Sequence, residues 1–204
     1  MFALVESGTI TQFPKGNKGI TIGENQYPSS IYTLWTEAER NAIGIYTVEI
    51  DSTNRKDEEF YINTNITYAF GSGKVTGSYG TATAKKLADE DAVDENGDKL
   101  KDADGNQVIN YGLKTKYKNK FNAEAAGLLA KTDWYVIKAA DVTSYSVPSN
   151  ITTYRAAVRT KVNAMETSID GCSDVDALIT LLTYTTDSEG VVSRPLGEFP
   201  DEVV

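Results

Sequence analysis

Two apolar stripes with helical spacing dominate the second half of the chain. One begins at Leu113 and the other at Ile151, and each repeats at intervals of three and four residues. Side chains at these intervals share one face of an α-helix. The first stripe is Leu113, Tyr117, Phe121, Ala125, Leu128 and Thr132, and the second is Ile151, Tyr154, Val158, Val162, Met165 and Ile169. Because neither helix can bury its stripe alone, we expect residues 113–169 to form an antiparallel helical hairpin.

A short third helix is predicted after the hairpin. Ser149 or Asn150 is expected to cap the second long helix, and Gly171 to end it. Ser173, with Asp176 three residues later, is expected to begin the third helix. Its predicted inner face is Val175, Leu178, Ile179 and Leu182. The segment 133–140 also follows a helical pattern, whereas two prolines predict an extended or loosely packed tail over residues 187–204.

The first fifty residues alternate apolar and polar positions over short runs, which is typical of strands. The predicted strands are Phe2 to Val5, Thr9 to Phe13, Ile20 to Ile22 and Ile45 to Ile50. Thr36 and Glu39 have the spacing of a capping box, which predicts one short helix through Ala42 that Gly44 closes. Residues 1–50 are therefore expected to form a small α+β module.

The next segment, residues 51–112, favours β-hairpins. Phe60 to Phe70 and Lys74 to Thr83 are rich in β-forming residues, and Gly71-Ser72-Gly73 between them predicts a hairpin turn. A lone hairpin is marginally stable, so it must pack on the neighbouring module or on another chain. Two similar acidic turns follow within residues 94–106, eight residues apart, and predict a further small hairpin.

Together these patterns predict an α+β fold. The N-terminal half is β-rich with one short helix, and the C-terminal half is the antiparallel helical hairpin with a short third helix. The predicted segments are 1–50, 51–112, 113–186 and 187–204.

Composition removes several classes of function from consideration. The net charge of −9 disfavours nucleic acid and anionic membrane surfaces as partners. The absence of histidine removes the commonest general base and zinc ligand. The single cysteine, Cys172, cannot form an intrachain disulfide and is expected to be an inert thiol. No apolar run is long enough for a transmembrane helix, and residues 1–6 do not resemble a signal peptide.

Acidic residues supply the only candidate chemistry. The turns at 94–106 could wrap calcium, although the EF-hand spacing fails because Ala92 or Leu100 would occupy the first ligand position. Solvated turns are the favoured interpretation. Glu58 with Glu59, and the run 89–91, lie in charged stretches without an apolar pocket pattern, so we expect no catalytic pair, no enzyme activity and no cofactor.

Large aromatic residues are the candidates for contacts with a partner. Trp and Tyr dominate protein interfaces, although packing in the core is the more common role. The candidates are Tyr32, Trp35, Tyr61, Tyr68, Trp134 and Tyr135.

The string Leu128-Leu129-Ala130-Lys131-Thr132-Asp133-Trp134-Tyr135-Val136-Ile137-Lys138 resembles a recurrent segment of tailed-bacteriophage proteins. In those proteins a Leu-x-x-Thr-Asp-Trp helix is followed by a proline-containing connection and by a helix with a Tyr-Arg-x-x-Arg-like start. Pro148 and Tyr154-Arg155-Ala156-Ala157-Val158-Arg159 match these features. The ending Pro195-Leu196-Gly197-Glu198-Phe199-Pro200 and the start ending in Phe13-Pro14 are similar to segments of the same group.

This resemblance implies a structural subunit of a phage virion, in the tail, baseplate or tail-fibre attachment region. Its partners would be other tail or fibre proteins and further copies of itself, and it would be assembled in the host cytoplasm. The alternative is a tail-fibre assembly chaperone, and a glycan-active enzyme is the least favoured class. The resemblance implies no active site.

Overall fold

The computed structural model describes residues 1–203, which divide into two compact units. The first unit is residues 1–83, and the second begins at Ala84. The fold is α+β, with strands and short helices first and the long helices later, which confirms the predicted class.

The first unit is built from nine strands and two short helices, in the part of the chain up to Ala84. In chain order they are β1 (Phe2–Glu6), β2 (Thr9–Gln12), β3 (Ile20–Ile22), β4 (Asn25–Tyr27), α1 (Ile31–Leu34), α2 (Glu37–Ala42), β5 (Ile45–Asp51), β6 (Tyr61–Ile62), β7 (Ile66–Gly71), β8 (Lys74–Tyr79) and β9 (Thr83–Ala84), the last of which spans the boundary between the units.

A five-stranded sheet in the order β2-β1-β5-β8-β7 forms the centre of this unit. Neighbouring strands are antiparallel except β5 and β8, which are parallel with Val48 opposite Val75. The hairpin predicted after residue 51 therefore shares a sheet with strands of the first fifty residues. Its turn holds Ser72 and Gly73 at positive φ, as the Gly-Ser-Gly sequence predicts.

The sheet separates two apolar clusters because successive side chains on β1 point to opposite faces. One cluster contains Leu4, Ile45 and Ile31, and the β3–β4 hairpin and α1 contribute to it. The other contains Ala3, Val5, Val48 and Val75, with Ile10, Tyr46 and Phe70 packed against it.

Three local predictions in this unit need correction. The segment Phe60 to Phe70 is not one strand, because Asn63 interrupts it. The Asn63 Oδ1 accepts from the N–H of Lys56 at 2.9 Å, and the Asn63 Nδ2 donates to the carbonyl of Lys56 at 2.8 Å. Residues 31–34 add a second short helix, so there are two rather than one. Asn25–Tyr27, where no strand was predicted, is a strand that pairs with β3. The Thr36–Glu39 capping box is present.

Gly77 on β8 lies beneath the ring of Tyr68, its partner on β7. A Cβ at Gly77 would come within 2.8 Å of the Tyr68 ring and 3.0 Å of Ile50. We expect Gly77→Ala to lower the free energy of unfolding by about 1–3 kcal/mol, despite the better strand propensity of alanine. Urea unfolding followed by circular dichroism measures the change.

Gly71 provides the matched control, since a Cβ there meets nothing within 4 Å. Gly71→Ala should change the unfolding free energy by less than about 0.5 kcal/mol. Removing the Tyr68 ring as well should reduce the loss caused by Gly77→Ala, because only the approach to the flexible end of Ile50 then remains. Equal losses for the two glycine variants would show that the ring does not determine the outcome.

The second unit contains four helices and short strands within its described residues. They are β10 (Glu90–Asp91), β11 (Ile109–Asn110), α3 (Leu113–Ala130), α4 (Asp133–Asp141), α5 (Ser149–Asp170), α6 (Val175–Leu182), β12 (Thr185–Thr186) and β13 (Val192–Ser193).

Helices α3 and α5 form the predicted antiparallel hairpin. Each buries the greater part of its predicted stripe, and Leu128 is only half-buried. Polar contacts along the seam fix the antiparallel register: Lys118 pairs with Asp170 at 2.9 Å, and Asn122 donates to Glu166 at 2.6 Å.

Two predicted helix starts are displaced by one residue. The N-cap of α5 is Pro148 rather than Ser149 or Asn150, since both of these lie inside the helix. The N-cap of α6 is Asp174 rather than Ser173, because the Asp174 carboxylate accepts the N–H of Ala177 at 2.8 Å. Val175 and Leu178 are buried as predicted, whereas Ile179 and Leu182 are half-buried.

The tail is packed rather than loose around Leu196, which is buried. Its N–H donates to the carbonyl of Leu181 at 3.0 Å, and its carbonyl accepts from Lys161 Nζ at 2.8 Å. The guanidinium of Arg194 lies 5.3 Å from the ring centre of Phe121 and 4.9 Å from that of Tyr184. The tail, which its prolines predicted to be extended or loosely packed, therefore packs against the helices around Leu196.

Residues 90–110 form a small triangular β-element instead of a single hairpin. Three backbone hydrogen bonds close a ring: Ala92 donates to Val108 at 2.8 Å, Val108 to Leu100 at 2.9 Å, and Leu100 to Ala92 at 2.9 Å. The flanking antiparallel contacts, Val93 with Lys99, Lys101 with Gln107 and Asp91 with Ile109, share the eight-residue offset. The two acidic turns, eight residues apart, therefore belong to a structural repeat with three equivalent antiparallel contacts.

Candidate interaction surface

The structure separates the six aromatic candidates by exposure. Tyr32 and Tyr61 are each only 7% exposed and are not available to a partner in this structure. Trp35 is half-buried against the cluster that contains Leu4. Tyr68 is 36% exposed but covers Gly77 and contacts the Phe13 ring at 4.7 Å. These four residues of the first unit therefore pack largely within their own unit.

The other two candidates lie on α4, whose side chains face solvent on most sides. Trp134 is 51% exposed and Ile137 is 62% exposed, whereas Tyr135 is half-buried. Val136 and Val142 are also exposed. No side chain of this helix is buried. A helix rich in apolar residues normally buries one face, so α4 carries the strongest candidate interaction surface in the second unit.

The corner between α3 and α4 is fixed by Arg155 from α5, one of the two polar or charged residues that are buried in the described chain. Its Nη1 donates to the carbonyl of Leu129 and to Oγ1 of Thr132, both at 2.7 Å. Its Nη2 pairs with Asp133 Oδ1 at 2.8 Å. Thr132 in turn donates its hydroxyl to Leu129 at 3.0 Å.

These contacts place the positive charge of Arg155 where the end of α3 meets the start of α4. Leu129 lies in the last turn of α3, where a cation is favourable, and Asp133 begins α4, where a carboxylate is favourable. The guanidinium fork matches both acceptors at once. Arg155 therefore sets the direction in which α4 leaves the hairpin.

Aromatic and cationic groups cluster on α4 and the loop after it. The rings of Trp134 and Tyr135 are 4.1 Å apart. The ammonium of Lys138 lies 5.4 Å from the Trp134 ring centre and 4.4 Å from that of Tyr145. These contacts restrict the exposed side chains and lower the entropy cost of ordering them in an interface.

Sequence reasoning identified Trp134 and Tyr135 but missed Ile137 and Arg155 as parts of this surface and its support. The helical pattern over 133–140 contained the signal for Ile137, since it lies three residues after Trp134 on the same face. Arg155 had no comparable signal, because a charged residue within an apolar stripe is normally expected to face solvent.

The acidic turns use their carboxylates to close the backbone. Asp94 Oδ1 accepts the N–H groups of Asn96 at 2.8 Å and Asp98 at 2.9 Å, and Asp102 repeats this with Asp104 and Asn106. The N–H of Asn106 holds the pKa of the Asp102 carboxyl below its usual value. Asp187 forms the same turn near the tail. Among residues 1–203 no group of three or more His, Cys, Asp or Glu side chains is placed to hold a metal ion.

We expect a calcium chelator to leave the melting temperature of the protein unchanged, since these carboxylates already have backbone donors. Differential scanning fluorimetry with chelator and with added calcium measures this. Stabilisation by calcium that disappears in the Asp102→Asn variant would contradict the expectation.

Cys172 is buried, and burial raises the pKa of its thiol. Its Sγ donates to the carbonyl of Ser168 at 3.5 Å. Both observations describe a protonated thiol with low reactivity.

Within the described residues, none of the helices is long and apolar enough to cross a membrane. Comparison of the chain with family models, with curated proteins and with solved structures gives no match.

Proposed function

We propose that this chain is a structural subunit of a bacteriophage virion, in the tail, baseplate or tail-fibre attachment region, that acts by protein–protein assembly. The observation that carries the proposal is the contact between the two separated parts of the phage-like motif. Thr132 and Asp133 come from its first part and Arg155 from its second, and they bond directly. The polar residues of the motif are used to hold a helix corner in place, which supports a mechanical role.

The exposure of α4 supports the same proposal. The motif residues split into two groups: Thr132 and Arg155 are buried supports, and Trp134 is presented to solvent on the helix that they fix. Large apolar residues held outward on a supported helix are typical of docking sites. The partners proposed are other tail or fibre proteins and further copies of the chain, with assembly in the host cytoplasm.

Mass spectrometry of purified particles of the phage that encodes the chain tests the proposal. We expect the protein in the particle at a fixed ratio to the major tail protein. Its presence in infected cells together with its absence from particles would overturn the proposal and indicate the alternative, a tail-fibre assembly chaperone. Particles carrying Trp134→Ala should contain less of the protein, whereas particles carrying Val192→Ala, also an exposed apolar residue, should not.

A further inference from the structure

The first acidic turn, residues 94–98, carries a reactive dipeptide at its tip. Asn96 is followed by Gly97, and it is the one asparagine in the sequence that a glycine follows. Both residues are exposed. We infer that Asn96 is a modification site at which the folded chain spontaneously loses the side-chain amide, so that the turn comes to carry an aspartate or an isoaspartate.

The reaction is independent of the proposed function and needs only water besides the chain itself. The backbone nitrogen of Gly97 attacks Cγ of Asn96, the new N–Cγ bond closes a succinimide ring, and the side-chain nitrogen leaves as ammonia with the proton of the Gly97 N–H. Water then opens the ring. Cleavage of the N–Cγ bond gives aspartate in an ordinary backbone, whereas cleavage at the main-chain carbonyl gives isoaspartate, in which the backbone runs through Cβ and Cγ. Nothing is oxidised or reduced.

The structure leaves both reacting groups accessible. A Cβ at Gly97 would meet nothing within 4 Å, so neighbouring segments leave open space beside the attacking nitrogen. Among residues 1–203, no hydrogen bond holds the side-chain amide of Asn96, although its backbone N–H is bonded to Asp94. The Asn96 side chain can therefore rotate towards the nitrogen of Gly97 without giving up a contact within the chain.

One hydrogen bond opposes the attack. The N–H of Gly97 donates to the carbonyl of Asp94 at 3.1 Å, and this bond must break before the peptide can turn towards Cγ of Asn96. Exposed loop tips open locally at low cost. One hydrogen bond of about 1 kcal/mol corresponds to about fivefold in rate, so we expect the folded chain to react about fivefold more slowly than an unstructured peptide.

The second acidic turn provides an internal comparison. The N–H of Gly105 donates to the carbonyl of Asp102 at 3.1 Å, and Oδ1 of Asp102 accepts two further N–H groups, as Asp94 does in the first turn. Asp104 precedes Gly105 where the first turn has an asparagine. An ionised carboxylate is a poor target for an amide nitrogen, so Asp104 should react far more slowly than Asn96 at neutral and alkaline pH.

Deamidation is expected to change the turn and to spare the helices. Isoaspartate adds a backbone carbon between Asp94 and Asp98. The hydrogen bonds from the N–H groups of Asn96 and Asp98 to Asp94 Oδ1, at 2.8 Å and 2.9 Å, span this point and are expected to be lost. Each event also adds a negative charge beside Glu95 and Asp98. The bond from Asp89 to the start of α3 lies at the other end of the element, so the helical hairpin should persist.

Peptide mapping of the purified full chain, incubated in mildly alkaline buffer, provides the first measurement. Conversion adds one mass unit to the fragment that contains Asn96, and electron-transfer fragmentation separates isoaspartate from aspartate. A synthetic peptide of residues 90–100 gives the rate without the fold. We expect a rate about fivefold below that of the peptide, with the helical ellipticity of the chain unchanged. A rate more than about tenfold below that of the peptide would overturn the inference.

Asp104→Asn tests whether the geometry of the turn permits the reaction. It gives the second turn the same dipeptide as the first, in a turn with the same backbone hydrogen bonds. We expect the side chain at this position to be lost at a rate within about threefold of that at Asn96. Absence of reaction in the second turn would contradict the inference, because equivalent geometry would then fail to support the chemistry.

Lys120→Gly is the matched control, since it places a glycine after the exposed Asn119 inside α3. The reacting peptide there belongs to the helix, and its rotation must open a turn of a packed element. We expect reaction at Asn119 to be at least about 100-fold slower than at Asn96. Circular dichroism checks that the helix persists, and Asp104→Asn remains decisive if it does not. Equal rates at Asn119 and Asn96 in a folded helix would show that the dipeptide alone determines the reaction, and the assignment to the turn would be wrong.

Discussion

Replacing Arg155 with methionine is expected to lower the free energy of unfolding of the second unit by about 2–4 kcal/mol. Methionine can fill much of the apolar space but supplies no donors. The carbonyl of Leu129 and the hydroxyl of Thr132 then lose a charged donor at 2.7 Å each in a buried corner. The partner Asp133 is half exposed and can be hydrated, which keeps the cost below that of a fully buried ion pair. Urea unfolding followed by helical ellipticity measures the loss.

Arg159 is the matched control for this variant. It lies one turn further along α5, is exposed, and reaches only the backbone of its own helix, at 3.4 Å. Arg159→Met should therefore cost less than about 0.5 kcal/mol. Arg155→Lys should fall between the two, because an ammonium keeps the charge and loses the fork geometry. If Arg155→Met and Arg159→Met cost the same, the α3–α4 corner does not depend on these hydrogen bonds.

Replacing Phe121 with alanine is expected to cost about 3–5 kcal/mol. Phe121 is 2% exposed on the buried face of α3, and its ring stacks near Tyr117 with centres 6.4 Å apart. The change leaves a cavity between α3 and its neighbours, and it also removes the ring over which Arg194 of the tail lies. The same unfolding measurement applies, and hydrogen exchange at the Leu196 amide reports the loosening of the tail.

Phe121→Leu separates the cavity from the change of residue type. Leucine keeps most of the volume, so the loss should be below about 1.5 kcal/mol. Faster exchange at Leu196 in both variants, with a large loss of stability only in alanine, would assign the tail contact to the ring. Equal losses of stability in the two variants would argue against a tightly packed core at this position.

The long helices were predictable because their signal is local. The stripes beginning at Leu113 and Ile151 repeat with the period of the helix, so burial follows directly from spacing. The same holds for the capping box at Thr36 and for the turn at Ser72-Gly73, where the side chain or the φ angle of a single residue determines the structure.

The structural features that the sequence patterns did not predict depend on contacts between residues far apart in the chain. The parallel pairing of β5 with β8 joins segments that β6 and β7 separate in the chain, and no periodicity specifies that neighbour. The proline-rich tail was predicted to be loosely packed. This prediction failed because the site that receives Leu196 exists only after α5 and α6 have packed. For Arg155, the deciding fact is the position of a carbonyl on another helix, which the sequence pattern does not encode.

The geometry of the triangular β-element determines which sequence changes the second unit can tolerate there. Its first and last residues, Glu90 and Asn110, lie opposite each other, so the chain leaves where it arrived. Asp89, just before it, bonds the N–H of Gly112 at 2.8 Å and the hydroxyl of Thr115 at 3.0 Å, which ties the base to the start of α3 without using the repeats. Shortening or replacing residues 91–109 should therefore leave the helical hairpin intact, which makes this position a natural insertion point for foreign peptides.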